Sequence, residues 1–325
     1  MTLQPWLTPP WRTLSDALSA KRVHHALLLA GPEGIGKRAL ADAFAVAALC
    51  QQRTADGHAC GVCRSCLLVA AGSHPDLVHV TFELRDDGKP RSEITVDQMR
   101  NLCQRLSLSS QFGGLQIALI DPADALNASA ANALLKTLEE PASDTIIVLI
   151  ANDPSRLPAT IRSRCQRVDL RLPTPAEALE WLRAQGIDAE DAALTLEASL
   201  GNPGQAAQWI ADGTLALRAE CIADLTALSM QRAQASAVAE RWAADRPESR
   251  LWFASVLARE EARRLTRGER GTFGLTARAE IPKLAAWFGR ANRARSLLST
   301  TLRAELILLD LLRSWPASER TTRRA

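Results

Sequence analysis

Residues 26–40, ALLLAGPEGIGKRAL, leave this chain few architectures to choose from. An apolar run from Ala26 to Ala30 enters a glycine-rich turn, and Lys37 opens a helical pattern. In a strand–loop–helix unit of this kind, backbone N–H groups and a lysine cradle a phosphate. Gly31, Gly36 and Lys37 hold the fixed places of the pattern G-x-x-x-x-G-K-[ST], with Gly34 inside the loop. The last place holds Arg38, where a hydroxyl should grip magnesium. The spacing therefore keeps a phosphate cradle and drops a metal ligand.

A second defect follows downstream. The stretch QIALID ends at Asp121, the acid expected to orient magnesium. An active nucleotidase of this type places a glutamate next to polarise the attacking water. Pro122 stands there instead, and losing a general base costs on the order of 10²–10⁴ in rate. Asp124 reads as the cap of the following helix. The expectation is a site that does not hydrolyse, with ATP binding itself doubtful.

The 47% hydrophobic content suffices for a packed core, and a net charge of +3 does not argue for nucleic-acid binding. MTLQPWLTPPWRTL has no apolar signal core, and no apolar run approaches about 18 residues. A cytoplasmic, reducing setting is the expectation, and there clustered cysteines point to metal. Cys50, Cys60, Cys63 and Cys66 form C-x9-C-x2-C-x2-C. Four thiolates suit a closed, structural zinc site with Zn–S bonds of about 2.3 Å. An iron–sulfur cluster is the rival reading, although the Cys-Pro that usually completes such a run is missing. His58 lies inside the loop as a substitute ligand of little weight. Cys103 and Cys221 sit on apolar helical patterns and read as core. His74-Pro75-Asp76 reads as a turn entering a strand.

From about residue 24 to 171 short apolar runs alternate with helical patterns. Strands are expected at 25–30, 77–81, 115–120, 145–151 and 167–170, and helices at 37–49, 95–109, 127–139 and 158–163. This alternation predicts an α/β fold, a parallel sheet with helices on both faces. The polar segment Glu83–Arg91 reads as a loop. After Pro173 the strand patterns stop. Three short helices are expected at 175–185, 188–199 and 203–212, then longer ones, the clearest at 247–266 and 293–314. The tail Glu319–Ala325 is expected to fray. Three domains follow: 1–171, 172–213 and 214–325.

The segments HALLLAGPEGIGK, LIDPADALNASAANALLKTLEEP and LPATIRSRC together resemble bacterial clamp-loader subunits of the AAA+ class, nearest the delta-prime group of DNA polymerase III. The resemblance covers roughly 20–171, and beyond that rests on pattern. It implies a RecA-like AAA+ sheet domain, a small helical lid and an all-α collar that joins a ring of five. Within Ser163-Arg164-Cys165 it makes Arg164 an arginine finger, given in trans to a neighbour's ATP, with Cys165 packed behind it. Such a finger is worth roughly 10³–10⁵ in hydrolysis rate. Asn152 matches a γ-phosphate-sensing position, although alone it reads equally well as a turn residue. Active relatives carry a sensing arginine where this chain has Gly201-Asn202-Pro203-Gly204-Gln205. The cysteine cluster matches a structural zinc site of the same relatives.

The resemblance thus implies a non-hydrolysing clamp-loader subunit within the DNA polymerase holoenzyme. Its partners would be gamma/tau and delta subunits, and through them the sliding clamp and primed DNA. An active gamma/tau-type ATPase is the alternative. A zinc-dependent nucleic-acid module is a third reading, against which the near-neutral charge speaks.

Overall fold

The computed structural model describes residues 3–85, 88–89, 91–273, 275, 280–298, 300 and 302–317. The chain divides into two compact units, residues 1–206 and 207–325. In the first unit the elements run α1 (Thr8–Ser19), β1 (Ala26–Ala30), α2 (Lys37–Leu49), α3 (Arg64–Ala70), β2 (Leu77–Val80), α4 (Val96–Leu106), β3 (Gln116–Ile120), α5 (Ala128–Glu139), β4 (Thr145–Ala151), α6 (Ala159–Arg162), β5 (Gln166–Asp169), α7 (Pro175–Ala184) and α8 (Ala189–Ala198). Helix α9 (Pro203–Ala211) begins in this unit and ends in the next.

The five strands pair in parallel in the order β2-β3-β4-β1-β5. The three central strands are buried along their whole length and apolar beyond their first residues, Gln116 in β3 and Thr145 in β4, as a sheet covered on both faces requires. Period-two alternation sorts their side chains into two cores. Leu28, Ile120, Ile147 and Leu149 pack with α4 and α5 residues such as Leu102 and Leu134. Leu27, Leu29, Ile117, Val148 and Ile150 pack with Trp11 and Leu14 of α1 and Leu40 and Phe44 of α2. This is the expected α/β architecture, a parallel sheet with helices on both faces.

Local chemistry sets the helix ends. A reciprocal cap opens α4: the Thr95 hydroxyl accepts from the Gln98 amide and the Gln98 side chain from the Thr95 amide. Thr174 and Glu177 do the same for α7. The cap of α5 is Asn127, whose Oδ1 accepts from the Ala130 amide at 2.9 Å. Asp124 is not that cap. It lies in the 3-10 turn Ala123–Ala125, too far upstream to face the first helical amides, and its Oδ2 accepts from the Asp153 amide at 2.9 Å. At the ends of the expected loop, the Arg91 amide donates to the Glu83 carbonyl at 2.8 Å.

Among the described residues of 207–325 the regular elements are helices: α10 (Ala216–Ser229), α11 (Ala235–Ala244), α12 (Pro247–Thr266), α13 (Glu280–Leu298) and α14 (Ala304–Leu312). The core of this unit holds Trp242, Phe253, Phe273 and Trp287, all fully buried. Three buried indole N–H groups find acceptors: Trp242 on Asp224, Trp287 on the Leu311 carbonyl, and Trp315 on the Ser229 hydroxyl. The single helix expected over 293–314 is instead two. Between them the Thr300 hydroxyl donates to the Leu297 carbonyl at 2.6 Å, and Arg303 is extended. A short hydroxyl side chain competes here with the helical ladder. The tail Glu319–Ala325 lies outside the described residues.

Candidate functional site

The loop after β1 is bracketed by glycines. Gly31 donates its amide to the Ala151 carbonyl at the end of β4, and Gly36, at a φ of 98°, turns the chain into α2. Lys37 is buried. Its ammonium donates to the carbonyls of Gly31, at 2.8 Å, and Pro32, at 2.6 Å. Burial lowers its pKa to about 8, against the opposing pull of Asp121, Glu33 and Asp124. Arg38, in the place of the hydroxyl, pairs through Nε with Asp121 Oδ2 at 2.5 Å. The residue standing where the loop pattern expects a hydroxyl thus pairs with the acid that follows β3.

Glu33, Gly34, Gly36, Lys37, Arg38, Asp121, Pro122 and Asn152 line one cavity of about 400 Å³. The structure therefore brings the candidate nucleotide residues together, with Gly31 in an adjoining cavity that Asn152 also lines. Pro122 stands at the wall where a base would be needed and offers neither proton donor nor acceptor on its side chain.

Two contacts on this loop escaped the sequence reading. The Trp6 indole donates to the Ile35 carbonyl at 2.9 Å. The Asn202 amide donates to the Glu33 carbonyl at 2.6 Å. Next to it, a Cβ on Gly204 would stand 1.9 Å from the Gly34 oxygen, so the two backbones touch. The sequence hint was the run Gly-Asn-Pro-Gly before a helix. In sequence that run reads as a break between helices that lacks a sensing arginine, and nothing local names the remote carbonyl.

The cysteine cluster assembles as the spacing predicts. The four Sγ atoms of Cys50, Cys60, Cys63 and Cys66 all lie within 4.8 Å of one another. Cys50 and Cys63 are 3.9 Å apart, and Cys60 and Cys66 4.0 Å. Sulfurs about 2.3 Å from a tetrahedral metal are about 3.8 Å from each other, so the residues fit such an ion. Amides of Gln52 and Cys60 donate to Cys50 Sγ, and that of Cys63 to Cys60 Sγ, a shell that favours thiolates. Burial raises the Cys63 thiol, but the Cys66 and Gln51 amides outweigh it and bring it to about 6. Burial and the neighbouring Cys63 push Cys66 up to about 12. His58 is not in the cluster and stacks on Trp11 at 4.3 Å. Cys221 is buried, pushed up to about 12 by burial, and donates to the Arg250 carbonyl. Cys103 packs half-buried against the sheet core.

Arg164 lies two residues beyond α6. One guanidinium nitrogen donates to the Thr160 carbonyl at 2.8 Å and another pairs with Glu139 at the end of α5. Cys165 behind it packs against the sheet core, and burial raises its thiol to about 11.

A family model described as DNA polymerase III, delta subunit, matches residues 7–174. The DNA polymerase III subunit delta' of Pseudomonas aeruginosa is 42% identical over 243 residues, which are 74% of this chain and 71% of the relative. The chain belongs to the DNA polymerase III delta-prime family. The delta-prime subunit of Escherichia coli is 39% identical over 208 residues, 63% of this chain and 60% of that one. A DNA polymerase III subunit tau from Bacillus subtilis is 32% identical over 59% of this chain and 33% of its own length. Among solved structures, a gamma subunit-related protein of DNA polymerase III from Thermotoga maritima is similar at a TM-score of 0.46 and 16% identity, covering 93% of this chain and 97% of that one. Among the described residues of this delta-prime family member, no helix is long and apolar enough to cross a membrane.

Proposed function

We propose that this chain is a non-hydrolysing subunit of a DNA polymerase III clamp loader, and that it lends Arg164 to the ATP site of a neighbouring gamma/tau subunit. The observation that carries the reading is the Arg38–Asp121 pair, in which the chain's own side chains fill the place of the magnesium ion. Without that ion the charge of the β and γ phosphates goes unneutralised. Pro122 supplies no base, and Lys37 gives two of its three donors to carbonyls of its own loop. Arg164 keeps a partly exposed guanidinium, which suits a planar, permanently charged group offered across a boundary.

On this reading the chain has three parts, a nucleotide-binding-like domain to 171, a lid to 213 and a collar from 214. It assembles with gamma/tau and delta subunits, and acts on the sliding clamp and primed DNA through them. Zinc is the metal that four clustered thiols suit best, and it would tie the loop 50–66 to the ends of α2 and α3. The second reading, a gamma/tau-type ATPase, draws on the tau relative.

Turnover assays separate the two. The purified chain should hydrolyse no ATP, and hydrolysis lost in Lys37→Ala would favour the second reading. In a loader reconstituted with gamma/tau and delta, Arg164→Ala should sharply lower clamp-stimulated turnover at one site while assembly survives.

A further inference from the structure

Arg164 is not idle in the chain by itself. Nη1 donates to the Thr160 carbonyl at 2.8 Å, and Nη2 pairs with Glu139 Oε1. The first contact is local, to a carbonyl of α6 four residues earlier. The second comes from the end of α5, far away in sequence, and neutralises the charge. The Arg164 side chain is 34% exposed and that of Glu139 49%, so an incoming anion can reach both. Ile161 is fully buried and Cys165 packs on the core, so the backbone beneath the arginine is fixed.

We propose that Glu139 is a charge latch on Arg164, one that yields the guanidinium to a γ-phosphate and withholds it from a diphosphate or an empty site. This deepens the function proposed above and rests on its reading of Arg164. A carboxylate and a terminal phosphate compete for the same N–H donors. The phosphate carries the larger charge and more acceptor oxygens, so it wins the exchange when present. A diphosphate presents no anion at that position, and the carboxylate keeps the arginine. The Thr160 carbonyl holds the other nitrogen in both states and keeps the guanidinium aimed. Glu139 is thus a positioning residue that sets the threshold for engagement. An exposed pair of this kind shifts an equilibrium by up to about fivefold.

The test uses the reconstituted loader with Glu139→Gln, which keeps the shape and removes the charge, and Glu139→Lys, which repels the arginine. The readouts are turnover without clamp or DNA, the preference of the assembled loader for ATP over ADP, and the melting temperature of the chain. Glu139→Gln should raise clamp-independent turnover about two- to fivefold and weaken the ATP preference by a similar factor. Glu139→Lys should do so more strongly, and Glu139→Asp should resemble the parent. All these effects should vanish in an Arg164→Ala background. Unchanged or lowered turnover in Glu139→Gln and Glu139→Lys, with Arg164→Ala still damaging, overturns the latch and leaves the finger standing. If Arg164→Ala itself has no effect, the finger reading falls and the latch with it.

Discussion

At Lys37 two demands oppose each other: the loop needs a cation near its carbonyls, and burial disfavours one. The compromise is a lysine whose pKa falls to about 8. Its folded value lies below the ordinary 10.5, so between those values the unfolded chain binds more protons. This group's contribution to stability therefore rises with pH across the window from about 8 to 10.5. Competitive amine labelling should show Lys37 titrating near 8, well before an exposed lysine. Any phosphate held by this loop should loosen as pH passes through the same point. Next to it, Arg38→Thr should release Asp121 and restore a magnesium-dependent gain in nucleotide affinity, read by calorimetry. The lost pair is mostly exposed on the arginine side, so stability should drop by about 1 kcal/mol or less. Turnover should stay absent while Pro122 remains. The defects of this site were legible in sequence, because each is a single residue at a fixed place. That Arg38 would reach Asp121 was not, since they are 83 residues apart and their pairing depends on the sheet register.

The elements divide by how local their signals are. The central strands were readable to within a residue or so, because a strand buried on both faces shows as a short, nearly continuous apolar run. Helix α1 was missed: its start, TPPWRTL, carries prolines that read as irregular chain, yet here they occupy the helix's first turn, where a missing N–H costs little. Helix α3 was missed because it is only Arg64–Ala70 and begins within the cysteine loop. That loop makes a test at this scale. Cys66→Ala should abolish metal binding measured by elemental analysis, and should open residues 51–63 to proteolysis, because metal binding supplies folding energy to a segment with little core. At α4, Thr95→Ala removes half of a reciprocal cap and should cost about 1 kcal/mol, read as a lower melting temperature.

For the whole molecule, the two units rest on different cores. In the first, the sheet presents Leu28 to one helical layer and Leu27 to the other. In the second, tryptophans join helices through both ring packing and N–H bonds. Trp287 meets Trp315 edge-on at 4.8 Å while donating to α14. Trp287→Ala should therefore cost about 3–5 kcal/mol, measured by chemical unfolding. The helical character after Pro173 was plain from the loss of strand patterns. Its internal breaks were not, since leucines at helical spacing continue across Thr300. In the first unit, the bare backbone approach at Gly204 has a further bearing on how the chain can diversify. Any methyl there would act as a wedge, prising Asn202 from Glu33 and lifting the start of α9 away from the loop. A longer side chain at position 204 could therefore reach the loop only by first forcing its own doorway ajar.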